Sequence, residues 1–161
     1  MAGKAWGEFR RQQPELGEAG RELLYRVGVG LAFLSTVRRD GGPRLHPICP
    51  VLTDSGMYGF IIPSPKCDDL RRDSRYALHS FPTDDNEDAF YVTGTAQVVG
   101  DPTLHAALTQ QFLDERPTIN LSHDELAEQI LFEFRIDRCL LTRTDGFGDP
   151  NPRHTIWHEY D

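Results

Sequence analysis

Cysteine is scarce in this chain: Cys49, Cys67 and Cys139 are odd in number, far apart and without a C-x-x-C spacing. Neither a disulfide framework nor a zinc knuckle fits that pattern, and the three thiols are expected to be reduced and packed as small hydrophobes. Long apolar runs are also lacking. No stretch approaches the ~20 residues needed to cross a bilayer, and the N-terminal MAGKAWGEFRRQQPE has no apolar signal core, so no membrane partner is expected and the cytoplasm is the expected location. Basic residues are outnumbered, 17 Lys and Arg against 25 Asp and Glu, for a formal charge of −8. That balance opposes general binding to nucleic acid or to an anionic membrane, although a local basic pocket is compatible with it. Nucleotide fingerprints are missing as well. There is no Walker A sequence, and Gly28-x-Gly30-x-x-Phe33 lacks the third glycine and leads into a strand rather than out of one. His154 and His158 are four apart but sit in an extended pattern without the carboxylate of H-E-x-x-H, so no metal site is expected.

What is present is strand after strand. At 161 residues, 39% hydrophobic and 26% charged, the chain has the size of one domain, taken as residues 1–161. An N-terminal helical arm spans about 5–27, where Phe9, Leu16, Leu23 and Val27 mark an apolar stripe that Pro14 divides into two short helices. Leu31 to Val37 alternates apolar with small residues, Arg38 to Pro43 carries the Asp40-Gly41 turn, and Arg44 to Leu52 runs back as the second arm of a hairpin. Met57 to Ile62 follows a second turn. Ala89 to Val99 is a long alternating strand with Gly94 as a bulge or a point of close backbone approach. Asp101-Pro102 caps a helix to Glu115, Ser122 to Glu125 fits a capping box, and Leu131 to Thr142 and His154 to Tyr160 close the chain as strands. Helices confined to connections and ends predict a mainly β protein, a small barrel with peripheral helices.

One junction carries chemistry. Pro63-Ser64-Pro65-Lys66 steps from a strand into the short basic helix CDDLRRDSR. Ser64 supplies a hydroxyl, Pro65 suits a first helical turn, and the free N–H groups of a helix start attract an anion. Lys66 adds a full positive charge, and Arg44 on the neighbouring strand adds a fork of donors suited to phosphate. The plainer alternative makes Ser64 an N-cap and Lys66 a solvated charge. His46 and His79 lie on strands beside this junction, as ligand contacts or as satisfied structural histidines.

Taken in order, Asp40-Gly41, Ser64-Pro65-Lys66, Asp69-Leu70-Arg71-Arg72-Asp73 and Arg75-Tyr76-Ala77-Leu78-His79 resemble the pyridoxamine 5'-phosphate oxidase-like, flavin-binding split-barrel proteins, in particular their small actinobacterial-type members. The resemblance covers about Trp6 to His158. It implies a split β-barrel and a homodimer with FMN or a deazaflavin between subunits, serving hydride transfer to or from a small-molecule substrate; haem binding is the alternative that other relatives imply. Carried over residue by residue, Arg44, Ser64 and Lys66 hold the flavin phosphate, Leu45, His46, Phe60 and Ile61 offer groups to the ring, and Trp157 matches a tryptophan added by the partner subunit. The chain departs from the true oxidases at Pro65, where they have arginine, and at Cys49, where they have lysine. It also has no counterpart of their R-x-H substrate motif after Trp157, so oxidation of pyridoxamine phosphate is not implied.

Overall fold

The computed structural model describes residues 3–160. The N-terminal arm forms α1 (Trp6–Gln12) and α2 (Pro14–Leu24), and Pro14 opens the second helix because the first helical position needs no N–H. Phe9, Leu16 and Leu23 are buried, whereas Val27 lies beyond the end of α2 and is exposed. The stripe therefore ends a turn earlier than the apolar spacing implies.

β1 (Ala32–Val37) and β2 (Pro43–Ile48) make the expected hairpin, with Gly41 at its tip at φ +83°. The second arm does not run on to Leu52. After Ile48 the chain leaves that ladder at Cys49-Pro50, and β3 (Val51–Leu52) pairs with β4 (Met57–Ile61) instead. Pro50 has no N–H to offer a ladder, and Pro43 and Pro47 are accommodated because β2 is an edge strand. Helix α3 (Pro65–Arg72) then leads into β5 (Arg75–Ser80) and the long β6 (Ala89–Val98). Asp101 caps α4 (Pro102–Glu115) by accepting from the N–H groups of Thr103 and Leu104. Ser122 and Glu125 make a reciprocal capping box on α5 (His123–Ala127), and β7 (Ile130–Arg143) and β8 (Arg153–His158) complete the molecule.

All pairings are antiparallel, in the order β2-β1-β5-β6-β7-β4-β3, with β8 also on β7. The two ends of that order are consecutive in the chain, since only Cys49 and Pro50 separate β2 from β3. The sheet must therefore curl until its ends approach, and the Ile48 side chain reaches within 3.8 Å of where a Cβ on Gly59 of β4 would stand. The curl does not close by hydrogen bonding. β2 has a free outer edge, and β4 pairs with β3 only at Met57 and Tyr58, leaving Gly59 to Ile61 unpaired on that side among the described residues. The result is a barrel split between β2 and β4, mainly β with peripheral helices, as the element order predicts.

Inside the curl, Leu34, Leu78, Val92, Phe134, Cys139 and Trp157 pack with Trp6 and Phe9 of the arm. A second cluster, with Val51, Tyr58, Leu108, Phe112 and Leu131, is covered by α4 and α5. Alternation along each strand sends the intervening residues outward. Register then lines up Pro47, Phe33, His79, Tyr91, Leu140 and Ile156 as one row across six strands of the outer face, in which Pro47, His79 and Ile156 are exposed and Phe33, Tyr91 and Leu140 half-buried.

Candidate functional site

The split is furnished by β2, β4 and α3. On β2, Arg44, His46 and Ile48 share the inner face opposite Thr36 and Leu34, while Leu45 points to the outer face and is 64% exposed. Leu45 thus meets anything in the split only through its backbone. On β4, the Ile61 side chain belongs to the main core, and the Phe60 ring turns away toward α4, edge-on to Phe112 at 5.6 Å and to His105 at 5.3 Å. Their contribution to the split is likewise the unpaired backbone edge.

The start of α3 is open. Pro65 has no N–H, and the first helical bond is made by Asp68 N–H to the Ser64 carbonyl at 3.0 Å, so the N–H groups of Lys66 and Cys67 precede the ladder. Ser64 holds the N-cap position in extended conformation, but its hydroxyl turns back to donate to the Ile62 carbonyl at 2.8 Å, so its side chain accepts from none of the first helical N–H groups. Lys66 makes no hydrogen bond or ion pair among the described residues. The Cys67 side chain is buried, and burial pushes its thiol pKa up, so it packs rather than reacts.

Arg44 is held in place by a residue that sequence reasoning did not place in the site. Asp69, in the second turn of α3 and only 3% exposed, accepts from Arg44 Nε at 2.7 Å, from Thr36 Oγ1 at 2.9 Å and from Arg72 Nη2 at 3.1 Å. Burial raises the Asp69 pKa, but the hydrogen bonds from Arg44, Thr36 and Arg72 outweigh it and keep the carboxyl below its usual value. Arg72 also donates to the Val37 carbonyl, so α3, β1 and β2 are tied at one point. The Arg44 fork is left with its terminal Nη groups unpartnered among the described residues. Lys66 stands three residues before Asp69, on the same flank of the helix, and helical side chains lean toward the N-terminus. Arg44, Lys66 and the open N–H groups are thereby gathered on one side of α3. Arg44 also lines an open depression of about 420 Å³ with Arg38, Arg39 and Asp40 of the β1–β2 hairpin.

Of the other basic residues of the α3 region, Arg72 and Arg75 are engaged by carboxylates, whereas Arg71 makes no hydrogen bond or ion pair among the described residues. Arg75 is bound to Asp73 through two donors and holds that carboxyl down to about 2, and Arg38 is similarly closed on Asp40. His46 has no hydrogen-bonding partner among the described residues, whereas His79 Nδ1 lies 2.6 Å from the Ser80 carbonyl. Trp157 is placed in the core of its own chain, 9% exposed, with its ring edge-on to Phe9 at 5.1 Å. No group of His, Cys, Asp and Glu able to hold a metal exists among the described residues. The three cysteines are free, and no helix is long and apolar enough to cross a membrane. A cavity of about 490 Å³ between α4 and α5, lined by His105, Thr109, His123 and Asp124 among others, contains none of the residues predicted for the site.

Neither a protein-family model nor a curated protein matches the chain. Among solved structures it is similar to an F420 reductase, at 20% identity over 74% of this chain and 94% of that one, with a TM-score of 0.61. It is similar too to a protein related to general stress protein 26 of B. subtilis, of the pyridoxinephosphate oxidase family, from Clostridium acetobutylicum (12% identity, 94% and 95% of the two chains, TM-score 0.58). A heme binding protein from Mycobacterium smegmatis matches 92% of this chain with 60% of its own, at 16% identity and a TM-score of 0.65. These likenesses establish the fold as the split barrel of the pyridoxamine 5'-phosphate oxidase-like proteins.

Proposed function

We propose that the protein is a flavin-binding oxidoreductase that seats the phosphate of FMN, or of a deazaflavin, at the start of α3 and lays the ring along the split between β2 and β4. The observation that carries this reading is the Arg44 fork, fixed through Nε by Asp69 with its Nη groups free, on the same flank of α3 as the unpartnered Lys66 and a helix start that no side chain caps. Guanidinium, ammonium and free backbone N–H groups together form a donor set that suits a phosphate dianion. The unpaired edges of β2 at Arg44, Leu45 and His46, and of β4 at Phe60 and Ile61, offer backbone donors and acceptors to the polar edge of a flat ring. When bound, the cofactor supplies hydride transfer with a small-molecule substrate, and the protein supplies orientation and electrostatics. The F420 reductase and the oxidase-family protein share this frame.

A homodimer belongs to this reading. The outer row from Pro47 to Ile156 is apolar or aromatic at five of its six positions, His79 being the exception, and it is extended by the Phe33–Phe81 stack at 4.3 Å. A second copy packed there would cover it and wall the split.

A second reading, a flavin or haem carrier without turnover, draws on the unpartnered His46 on the inner face of β2 and on the likeness to a heme binding protein. Visible absorption of the purified protein titrated separately with FMN, a deazaflavin and haem separates the two. Shifted flavin bands, with reduction of the bound ring by a reduced nicotinamide, support the oxidoreductase. A Soret band with no flavin binding moves the assignment to haem, and spectra unchanged by all three remove both.

A further inference from the structure

The geometry points to Asp69 as a positioning residue that aims Arg44 at the phosphate seat; this rests on the reading of that seat proposed above and adds to it the residue that makes Arg44 selective for a phosphate. An arginine on an edge strand has several rotatable bonds and no reason to hold one direction. Here the buried Asp69 carboxylate takes the Nε–H at 2.7 Å, the inner donor of the guanidinium, so that the two Nη groups at the far end of the plane are the ones presented outward. Its other oxygen is occupied by Arg72 at 3.1 Å, and Thr36 completes the first at 2.9 Å, so the carboxylate is itself held from β1 and from within α3.

Charge makes the same argument. Two guanidinium groups, from Arg44 and Arg72, share a single carboxylate, and Thr36, the third donor to it, is neutral. Direct ion pairs leave the cluster with one positive charge in excess, since Asp73 is closed on Arg75 and acts on Arg72 only at longer range, and the free Nη groups of Arg44 are where that charge meets the split. An anion there completes the set. Asp69 touches neither the phosphate nor the ring in this arrangement and acts only through Arg44.

The test is a double-mutant cycle on the full chain with FMN and riboflavin as paired probes, since they differ only by the phosphate. Asp69→Asn keeps the shape, and its amide N–H turns one of the two acceptor positions into a donor facing an arginine. Affinity for FMN is expected to fall by about tenfold or more, the scale of a charged hydrogen bond, while affinity for riboflavin stays unchanged. Arg44→Ala should produce the same pattern, and the double variant should be no weaker than Arg44→Ala alone. Arg44→Lys, which leaves Asp69 intact and keeps the charge but not the Nε–H, should lose FMN nearly as much as Arg44→Ala, and this arm stands even where Asp69→Asn fails to fold. Additive losses, an equal loss of riboflavin, or full FMN affinity in Asp69→Asn or Arg44→Lys would overturn the role of Asp69. A wild-type protein that binds FMN no more tightly than riboflavin would instead remove the phosphate seat, and the inference with it.

Discussion

A Cβ built on Gly94 would stand 1.8 Å from the carbonyl oxygen of Arg135 on the neighbouring strand. The β6–β7 register shifts between Thr93 and Gly94, so the bulge draws the two backbones closer than any side chain permits. Backbone atoms cannot yield as a side chain tip can. Gly94→Ala is therefore expected to cost at least about 2 kcal/mol of stability by strain in the longest ladder of the barrel. Gly100→Ala, with open space around it, should change stability by less than about 0.5 kcal/mol. Urea unfolding of both variants checks the pair, and equal stabilities would mean that the close approach relaxes freely.

Lys66 is the cation of the proposed seat that no carboxylate engages among the described residues. Lys66→Ala should weaken FMN by about tenfold while leaving riboflavin affinity and urea stability at wild-type values. Fluorescence titration of the two flavins reads the difference directly. Equal loss for both would place Lys66 outside any phosphate contact.

Asp69 sets an acid dependence. Its folded pKa lies below the ordinary aspartate value because Arg44, Thr36 and Arg72 bind the ionised form. A depressed pKa contributes stability that is complete above the unfolded value and is lost as pH falls below it through the folded value. The stability difference between wild type and Asp69→Asn should thus be constant near neutrality and shrink as the solution is acidified past the ordinary aspartate range. A difference that persists unchanged down to about pH 2 would contradict the assignment.

Tyr25 sets an alkaline limit. Its phenol accepts from Leu52 N–H at 2.9 Å and donates to Glu115 at 3.2 Å, and burial, with Glu115 nearby, pushes its pKa up to about 12. A raised folded pKa gives stability that is full below the unfolded value and lost as pH climbs through the folded one. Tyr25→Phe should cost about 1–2 kcal/mol near neutrality, because it leaves the Leu52 N–H without an acceptor. That cost should vanish as alkali approaches pH 12, which unfolding curves across the alkaline range will show.

The outer row sets the oligomeric state in this reading. Ile156→Glu puts a charge beside Leu140 on an exposed face, away from the core residues of β7 and β8. Sedimentation at micromolar concentration should show a dimer for wild type and a monomer for Ile156→Glu, with the thermal midpoint of the monomer's fold little changed. A wild-type monomer would remove the shared cleft from the proposed function.

Much of this molecule was legible in its residues, because the signals concerned are local. Period-two alternation marked every long strand, Asp101-Pro102 and the Ser122/Glu125 box marked two helix starts, and Gly94 marked the bulge. Each follows from the backbone preferences of a few adjacent side chains. The order of motifs likewise pointed to the split barrel. What only tertiary structure decided depends on groups far apart in sequence. Pro50 reads as one more residue of a hairpin arm until the curl of the sheet offers β4 as a second partner for β3. Ser64 reads as a side-chain cap and does hold the N-cap position, but in the folded chain its hydroxyl donates to the Ile62 carbonyl instead of accepting from the helix N–H groups. Asp69 reads as one acid in a charged helix, and becomes the anchor of Arg44 only when β1, β2 and α3 meet, at sequence separations of 33 from Thr36 and 25 from Arg44. Trp157 takes its place against Phe9 from opposite ends of the chain. Local propensity settles which elements form, whereas a buried charge finds its partners only after packing has excluded water and left no other group to satisfy it.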